Sequence, residues 1–324
     1  MSAIPDLGLF RRHGGRVGLA AALLPEAPRP WLDLSTGINP VPYPTPRPTR
    51  ADLARLPDPE AIAELEAAAA AAFGAEPARV AATPGTEAAL RLLPRLLRAR
   101  LVTIAEPTYG GHIEAWRAAG AELREADADA WVVVNPNNPD GRLTPPEALL
   151  GAAKRQWVVI DEAFADPCPA SSLASQARGR LIVLRSFGKF YGLPGVRLGF
   201  VVADPALARE VRRAFGDWPV AAEALAAGRA AYADGAWRLR TQERLARDRL
   251  RLDRLLTWAG LEIVGGTDLF RLARAHDAEA VFLGLAAAGV LCRPFNEPGL
   301  LRFGLPGPRR DWHRLGAALP KGRP

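Results

Sequence analysis

Between residues 78 and 202 the chain alternates short apolar runs with helix-forming segments, and that rhythm restricts the possible folds more than any other feature. The runs RVAAT, LVTIAEP, WVVVNP, WVVIDEA, LIVLRS and RLGFVVAD are of strand length and lack polar alternation, as strands buried on both faces do. Among them lie TEAALRLLPRLL, GHIEAWRAAG closed by Gly120, and PPEALLGAAKR, which read as helices. Strands alternating with helices predict an α/β fold with a mostly parallel, doubly wound sheet and helices on both faces. In such sheets ligands gather beyond the carboxyl ends of the strands, so the residues at those ends are the first candidates for function.

The flanking sequence divides the rest. The first 60 residues are rich in Pro and Gly, as in PEAPRPWLDL and NPVPYPTPRP, and read as an extended arm. Residues 60–74 are a helix stopped by Gly74, and 205–258 is helical. The tail places the strands LEIVGGTDLFRLA, VLCRPF and LLRFGLP around the helix AEAVFLGLAAAG, a small α+β domain. The expected organisation is an arm (1–50), a large α/β domain (51–215), connecting helices (216–258) and a small C-terminal domain (259–324).

Charge and cysteine narrow the classes of function. The net charge is +7, but basic and acidic residues interleave, as in RTQERLARDRLRLDRLL, with no run of like charge; no nucleic-acid partner is expected. Cys168 and Cys292 are isolated, which fits a reduced, cytoplasmic protein rather than a disulfide framework. The run GLAAALL at 18–24 follows three arginines but stops at Pro25-Glu26 without a clean cleavage site, so it is not read as a signal peptide. No stretch approaches the about 20 apolar residues of a membrane span.

The strand ends carry the chemistry. After RVAAT comes Pro84-Gly85-Thr86-Glu87, a helix start that is either an anion site or a plain cap on Thr83 or Thr86. Tyr109 follows the second strand, the turn Asn137-Asn138-Pro139-Asp140-Gly141 the third, and Asp161-Glu162 the fourth, where a buried carboxylate needs a partner. Ser186, Lys189 and Arg197 come next. Of 42 basic residues only Lys154, Lys189 and Lys321 are lysine. Arginine serves the solvated loops here, and only an amine with an accessible neutral form condenses with an aldehyde. A phosphorylated aldehyde cofactor would also need an acid for its ring nitrogen and an anion site, and all three elements are present.

SFGKFYGLPGVRLGF (186–200), NPNNPDG (135–141) and VVIDEAF (158–164), in that chemistry and order, resemble the lysine, turn and aspartate motifs of fold-type I pyridoxal-phosphate enzymes, the class I/II aminotransferases. HGGR (13–16), WLDLSTGINPVPYP (31–44), LPDPEAIAELE (56–66) and ATPGTEAALRLLP (82–94) resemble the threonine-phosphate decarboxylase branch, close to histidinol-phosphate aminotransferase. The resemblance covers nearly the whole chain. It implies pyridoxal 5'-phosphate as cofactor, bound covalently through Lys189, with Asp161 pairing with the ring nitrogen. Gly85, Thr86, Ser186 and Arg197 are then expected to hold the cofactor phosphate, Tyr109 to stack on the ring, and Asn138 to sit near the ring oxygen. Arg302 is expected to grip the substrate carboxylate. His13, Gly14, Asn39 and Arg293 are candidates for the substrate's phosphate, and no metal is expected.

The implied activity is decarboxylation of L-threonine O-3-phosphate for cobalamin biosynthesis, in a homodimer; the alternative is an aminotransferase acting on histidinol phosphate or a related amino acid. Two positions depart from common family patterns. Phe164 stands where many aminotransferases have a tyrosine that donates to the ring oxygen; the decarboxylase branch has phenylalanine there too. Leu56 stands where relatives commonly have a tyrosine that reaches the neighbouring subunit's cofactor phosphate. From another class, a sensor built on this fold would carry an added helix-turn-helix; here the N-terminal region is Pro-rich, and Lys189, Asp161 and Arg197 are all present.

Overall fold

The computed structural model describes residues 8–321. They form two compact units, one of residues 42–242 and one that joins 8–41 to 243–321. The sequence reading placed its boundaries elsewhere, at 50/51, 215/216 and 258/259. Local pattern cannot reveal that the arm pairs with the C-terminal segment.

In the joined unit the arm contributes strand β1 (Leu32–Asp33). In the larger unit follow β2 (Val80–Thr83), β3 (Leu101–Ile104), β4 (Glu122–Leu123), β5 (Ala130–Val134), β6 (Trp157–Asp161), β7 (Leu181–Ser186) and β8 (Gly199–Val202). These seven form one sheet in the order β2-β8-β7-β6-β5-β3-β4. β3, β4, β5, β6 and β7 pair in parallel, while β8 is antiparallel to both β2 and β7.

Both faces of this sheet are covered, which is why its strands read as unbroken apolar runs. On one face Val132, Val159, Leu184 and Val201 pack with Leu90, Leu93 and Trp116 from the helices Thr86–Leu97 and Gly110–Ala118. On the other, Phe200 meets Phe73 and Tyr232 edge-on at 5.7 and 5.4 Å, from the helices Pro59–Phe73 and Ala222–Ala233.

The joined unit holds β9 (Glu262–Thr267), β10 (Phe270–Arg274), β11 (Val290–Leu291), β12 (Arg293–Pro294) and β13 (Leu300–Gly304). An antiparallel sheet runs β12-β13-β10-β9, and β1 pairs in parallel with β11. The VLCRPF segment, expected as one strand, is thus split at Cys292 between two sheets. The arm is also less extended than expected: most of the run 18–24 weighed as a leader lies in the helix Val17–Leu23. Arg314 holds this arm, its guanidinium donating to the carbonyls of Pro28, Pro30 and Ala288. Among the described residues no helix is long and apolar enough to cross a membrane.

Candidate active site

Strand direction brings the candidate residues to one edge of the large sheet. β5, β6 and β7 end there, with Asp161 level with Leu184. Because β8 runs the opposite way, it begins at that edge, and Thr83, Gly199 and Ser186 stand side by side across β2, β8 and β7. The turn before β8 therefore delivers Arg197 to the place where β2 opens into the helix Thr86–Leu97.

These pieces form an anion cradle. Gly85 caps the helix with φ 81°, and Arg197 is itself left-handed at φ 54°. A Cβ at Gly85 would stand 2.7 Å from Nη2 of Arg197, so the guanidinium lies directly over the glycine. At Gly199 a Cβ would come within 2.5 Å of the Thr86 nitrogen; only glycine lets β8 pass beneath the helix start. The first N–H groups of a helix have no intrahelical acceptor; here the helix starts next to Gly85, over which the Arg197 guanidinium lies, and Ser186 is buried opposite Gly199. Ser186 precedes the short helix Phe187–Phe190 without using its side chain as a cap.

Lys189 lies in that short helix. Lys154 and Lys321 are exposed, whereas Lys189 is half-buried, its Nζ 5.7 Å from the centre of the Phe164 ring. Gly188 lets the helix lie against Pro194, whose Cα a Cβ would meet at 2.9 Å.

Asp161 and Glu162 have separate roles. Asp161 is 5% exposed; its Oδ1 accepts from the Ala163 nitrogen at 3.0 Å, and its Oδ2 lies 2.9 Å from Nε2 of His112. Glu162 turns to a structural network, bonded to Arg185 Nη1 at 2.8 Å, to the Ser172 hydroxyl at 2.5 Å and to the Leu173 nitrogen at 2.6 Å. Burial pushes its pKa up, against the opposing charge of Arg185. His112, 1% exposed, escaped the sequence reading. Its signal was present, one of only four histidines and three residues after Tyr109, but that spacing alone does not show what it faces.

Tyr109 sets the other wall. Its ring lies against Gly111, where a Cβ would collide with it, and stands edge-on to His112 at 6.1 Å. Its hydroxyl donates to Glu87 Oε2 at 3.1 Å, and burial followed by the Glu87 charge pushes its pKa up. In the 135–141 turn it is Asn137 that holds the loop, donating to the Pro107 carbonyl at 2.9 Å and to Asp140 at 2.8 Å. Asn138 is buried next to it. A half-buried amine, a buried carboxylate, an aromatic wall and a cradle for a dianion match the parts of pyridoxal phosphate, so the donor set fits that cofactor.

The substrate candidates lie in the other unit. Arg302, 3% exposed, sits opposite Arg293 across β13 and β12. Its Nη2 donates to the Ser35 carbonyl at 2.8 Å, and its guanidinium lies 5.0 Å over the Phe270 ring. Burial first, then the Arg293 charge, bring its ionisation down to about 9. Ser35, not anticipated, is a hub: its hydroxyl accepts from the Gly15 nitrogen at 2.7 Å and donates to Asp33 at 2.5 Å. A Cβ at Gly14 would strike its carbonyl. Arg293 donates to the Arg12 carbonyl at 3.0 Å, next to the exposed His13. Gly14 and Arg302 thus meet at Ser35, with Arg293 across the strand pair from Arg302, while Asn39 Oδ1 is taken by Arg244 Nη2 at 2.6 Å.

Comparison with known proteins places this geometry among relatives. Residues 47–321 match the model of the family described as aminotransferase class I and II. A threonine-phosphate decarboxylase of Pseudomonas aeruginosa is 40% identical over 323 residues, 95% of this chain and 96% of that protein. One from a Sinorhizobium species is 41% identical over 324 residues, 95% and 97% of the two chains. The crystal structure of histidinol-phosphate aminotransferase from Sinorhizobium meliloti, in complex with pyridoxal-5'-phosphate, superposes with a TM-score of 0.83 at 22% identity, covering 99% of this chain and 97% of that one.

Proposed function

The chain belongs to the aminotransferase class I and II family, and from that premise we infer that it is a pyridoxal-phosphate-dependent carboxy-lyase. Its reaction converts L-threonine O-3-phosphate to carbon dioxide and (R)-1-amino-2-propanol O-phosphate, a step of cobalamin biosynthesis. The observation that carries this reading is similarity to two threonine-phosphate decarboxylases along nearly the whole of both chains.

Each residue has a task in that reaction. Lys189 Nζ is the amine that would hold the cofactor's aldehyde carbon. Gly85, Thr86, Ser186 and Arg197 neutralise the cofactor phosphate through backbone N–H groups, a hydroxyl and a guanidinium. Asp161, whose carboxylate meets His112 and the Ala163 nitrogen, would pair with a proton on the ring nitrogen. Tyr109 walls the ring, and Asn138 bonds near its oxygen, while Phe164 offers no donor there. Bound in this way, pyridoxal phosphate supplies the acceptor for the electron pair left when the bond from Cα to the carboxylate breaks. Lys189 Nζ would donate the proton that Cα takes up in place of the lost carboxylate.

Arg302 binds the substrate carboxylate, and Arg293 with His13, the Gly14 backbone and Asn39 binds its phosphate. Two gripped anionic ends fix the torsion at Cα, and binding energy spent at the remote phosphate selects the bond that breaks. The working form is a cytoplasmic homodimer without a metal or nucleic-acid partner. The test is product identification: enzyme supplied with threonine phosphate and no keto acid should release carbon dioxide and the amino alcohol phosphate in equal amounts. Transfer of the amino group of histidinol phosphate to a keto acid, with no carbon dioxide from threonine phosphate, would replace this reading with the aminotransferase one.

A further inference from the structure

The first two turns of the helix Thr86–Leu97 carry a charged pair that the proposed reaction does not use. Glu87 follows the phosphate-holding Thr86 directly. A carboxylate there would repel a bound phosphate, so its presence needs a reason. Its Oε1 accepts from Arg91 Nε at 2.7 Å and pairs with Arg91 Nη2 at 2.6 Å. The charge of Glu87 is thus matched by a two-pronged guanidinium within its own helix. The remaining oxygen, Oε2, accepts the Tyr109 hydroxyl at 3.1 Å.

The Tyr109 ring is then held at three points. Gly111 lies under it, His112 meets it edge-on, and Glu87 holds the phenol at its far end. His112 in turn contacts Asp161. One ring therefore joins the group assigned to the cofactor's nitrogen with the helix assigned to its phosphate.

We propose that Glu87, with its charge matched by Arg91, is a positioning residue that fixes the plane of Tyr109 and thereby the stacking of the cofactor ring. This rests on the pyridoxal-phosphate reading above. A surface ion pair within a helix contributes little alone; the proposed effect passes through the phenol. Glu87 and the Tyr109 hydroxyl should then behave as one unit in a double-mutant cycle.

The test compares native holoenzyme with Glu87→Leu, Tyr109→Phe and the double variant, following loss of bound pyridoxal phosphate by its visible absorbance and circular dichroism, with apoprotein melting as a separate readout. Glu87→Leu should speed cofactor loss about tenfold, as expected for one charge-assisted hydrogen bond, and weaken the dichroism. Tyr109→Phe should do the same, and the double variant should be no worse than either. Glu87→Gln, which can still accept from the phenol, should retain most of the native behaviour and covers the case in which the leucine variant folds poorly. Equal harm from Glu87→Leu in native and Tyr109→Phe backgrounds would overturn the proposal, as would native retention in Glu87→Leu. A native protein that holds no pyridoxal phosphate at all would instead overturn the cofactor reading, and this inference with it.

Discussion

Asp161 and Glu162 are adjacent carboxylates with opposite surroundings, and the difference decides their chemistry. Asp161 accepts two hydrogen bonds at a sheet edge; Glu162 is locked to Arg185 in the interior. Asp161→Asn keeps the shape but loses the charge that favours a protonated ring, so turnover should drop by about 10³-fold or more with a smaller loss of cofactor. His112→Leu removes one of the two bonds and should reduce turnover about tenfold. A change of only twofold in Asp161→Asn, measured with saturating cofactor, would remove the charge from the mechanism. Borohydride reduction of the holoenzyme should fix the cofactor on the peptide containing Lys189, and Lys189→Ala should abolish that labelling; label on Lys154 or Lys321 would reassign the amine. Arg302 leads to a pH effect. Its ionisation is brought down to about 9, so the folded chain holds this charge at a cost that is fully present below that pH and fades as pH rises toward the ordinary arginine value. An anionic ligand offsets the cost. Substrate KM should therefore be low below pH 9 and rise above it, and Arg302→Lys should show a different profile because its ammonium cannot bind a carboxylate in two-pronged fashion.

Among the elements, β8 does most to assemble the cofactor half. Its reversed direction makes the turn at Arg197, rather than a strand end, point to the cradle. The close crossing depends on Gly199, beneath backbone atoms of Gly85 and Thr86 that cannot rotate away as a side chain would. Gly199→Ala should force the helix start to shift and cost about 1–3 kcal/mol in stability. Calorimetry should register a lower melting temperature, and equilibrium dialysis should show weaker cofactor binding. Gly85→Ala meets the mobile end of Arg197 instead but is strained by its positive φ. Cofactor binding should therefore suffer in both variants.

For the whole molecule the open question is assembly. Leu53 and Leu56 are 57% and 63% exposed, on and just after the helix Arg50–Leu53. Exposed leucines this close together suit a covering partner. We expect a C2 homodimer, observed by light scattering at micromolar concentration as a mass of twice 34.7 kDa. Leu56→Asp should raise the dimer dissociation constant at least about tenfold. A native protein that stays monomeric at that concentration would rule out the assembly.

The sequence by itself determined the sheet and most of the cofactor half. Apolar runs of strand length without alternation, set between helices, fit strands covered on both faces, and residues that end parallel strands reach a common edge whatever lies between them. Lys189, Asp161 and Gly85 were legible because they lie at or follow the ends of such strands, and Arg197 because it precedes β8; a composition that reserves lysine added to the case for Lys189. Tertiary structure alone decided which partner each group meets. His112 joins Asp161 across 49 positions, Glu87 joins Tyr109 across 22, and Ser35 joins Arg302 across 267. The split of VLCRPF, and the return of the arm to pair with it, belong to the same class. Periodicity records which face a residue shows to its neighbours in sequence, but hydrogen bonds between distant segments depend on register and crossing, which no local pattern encodes.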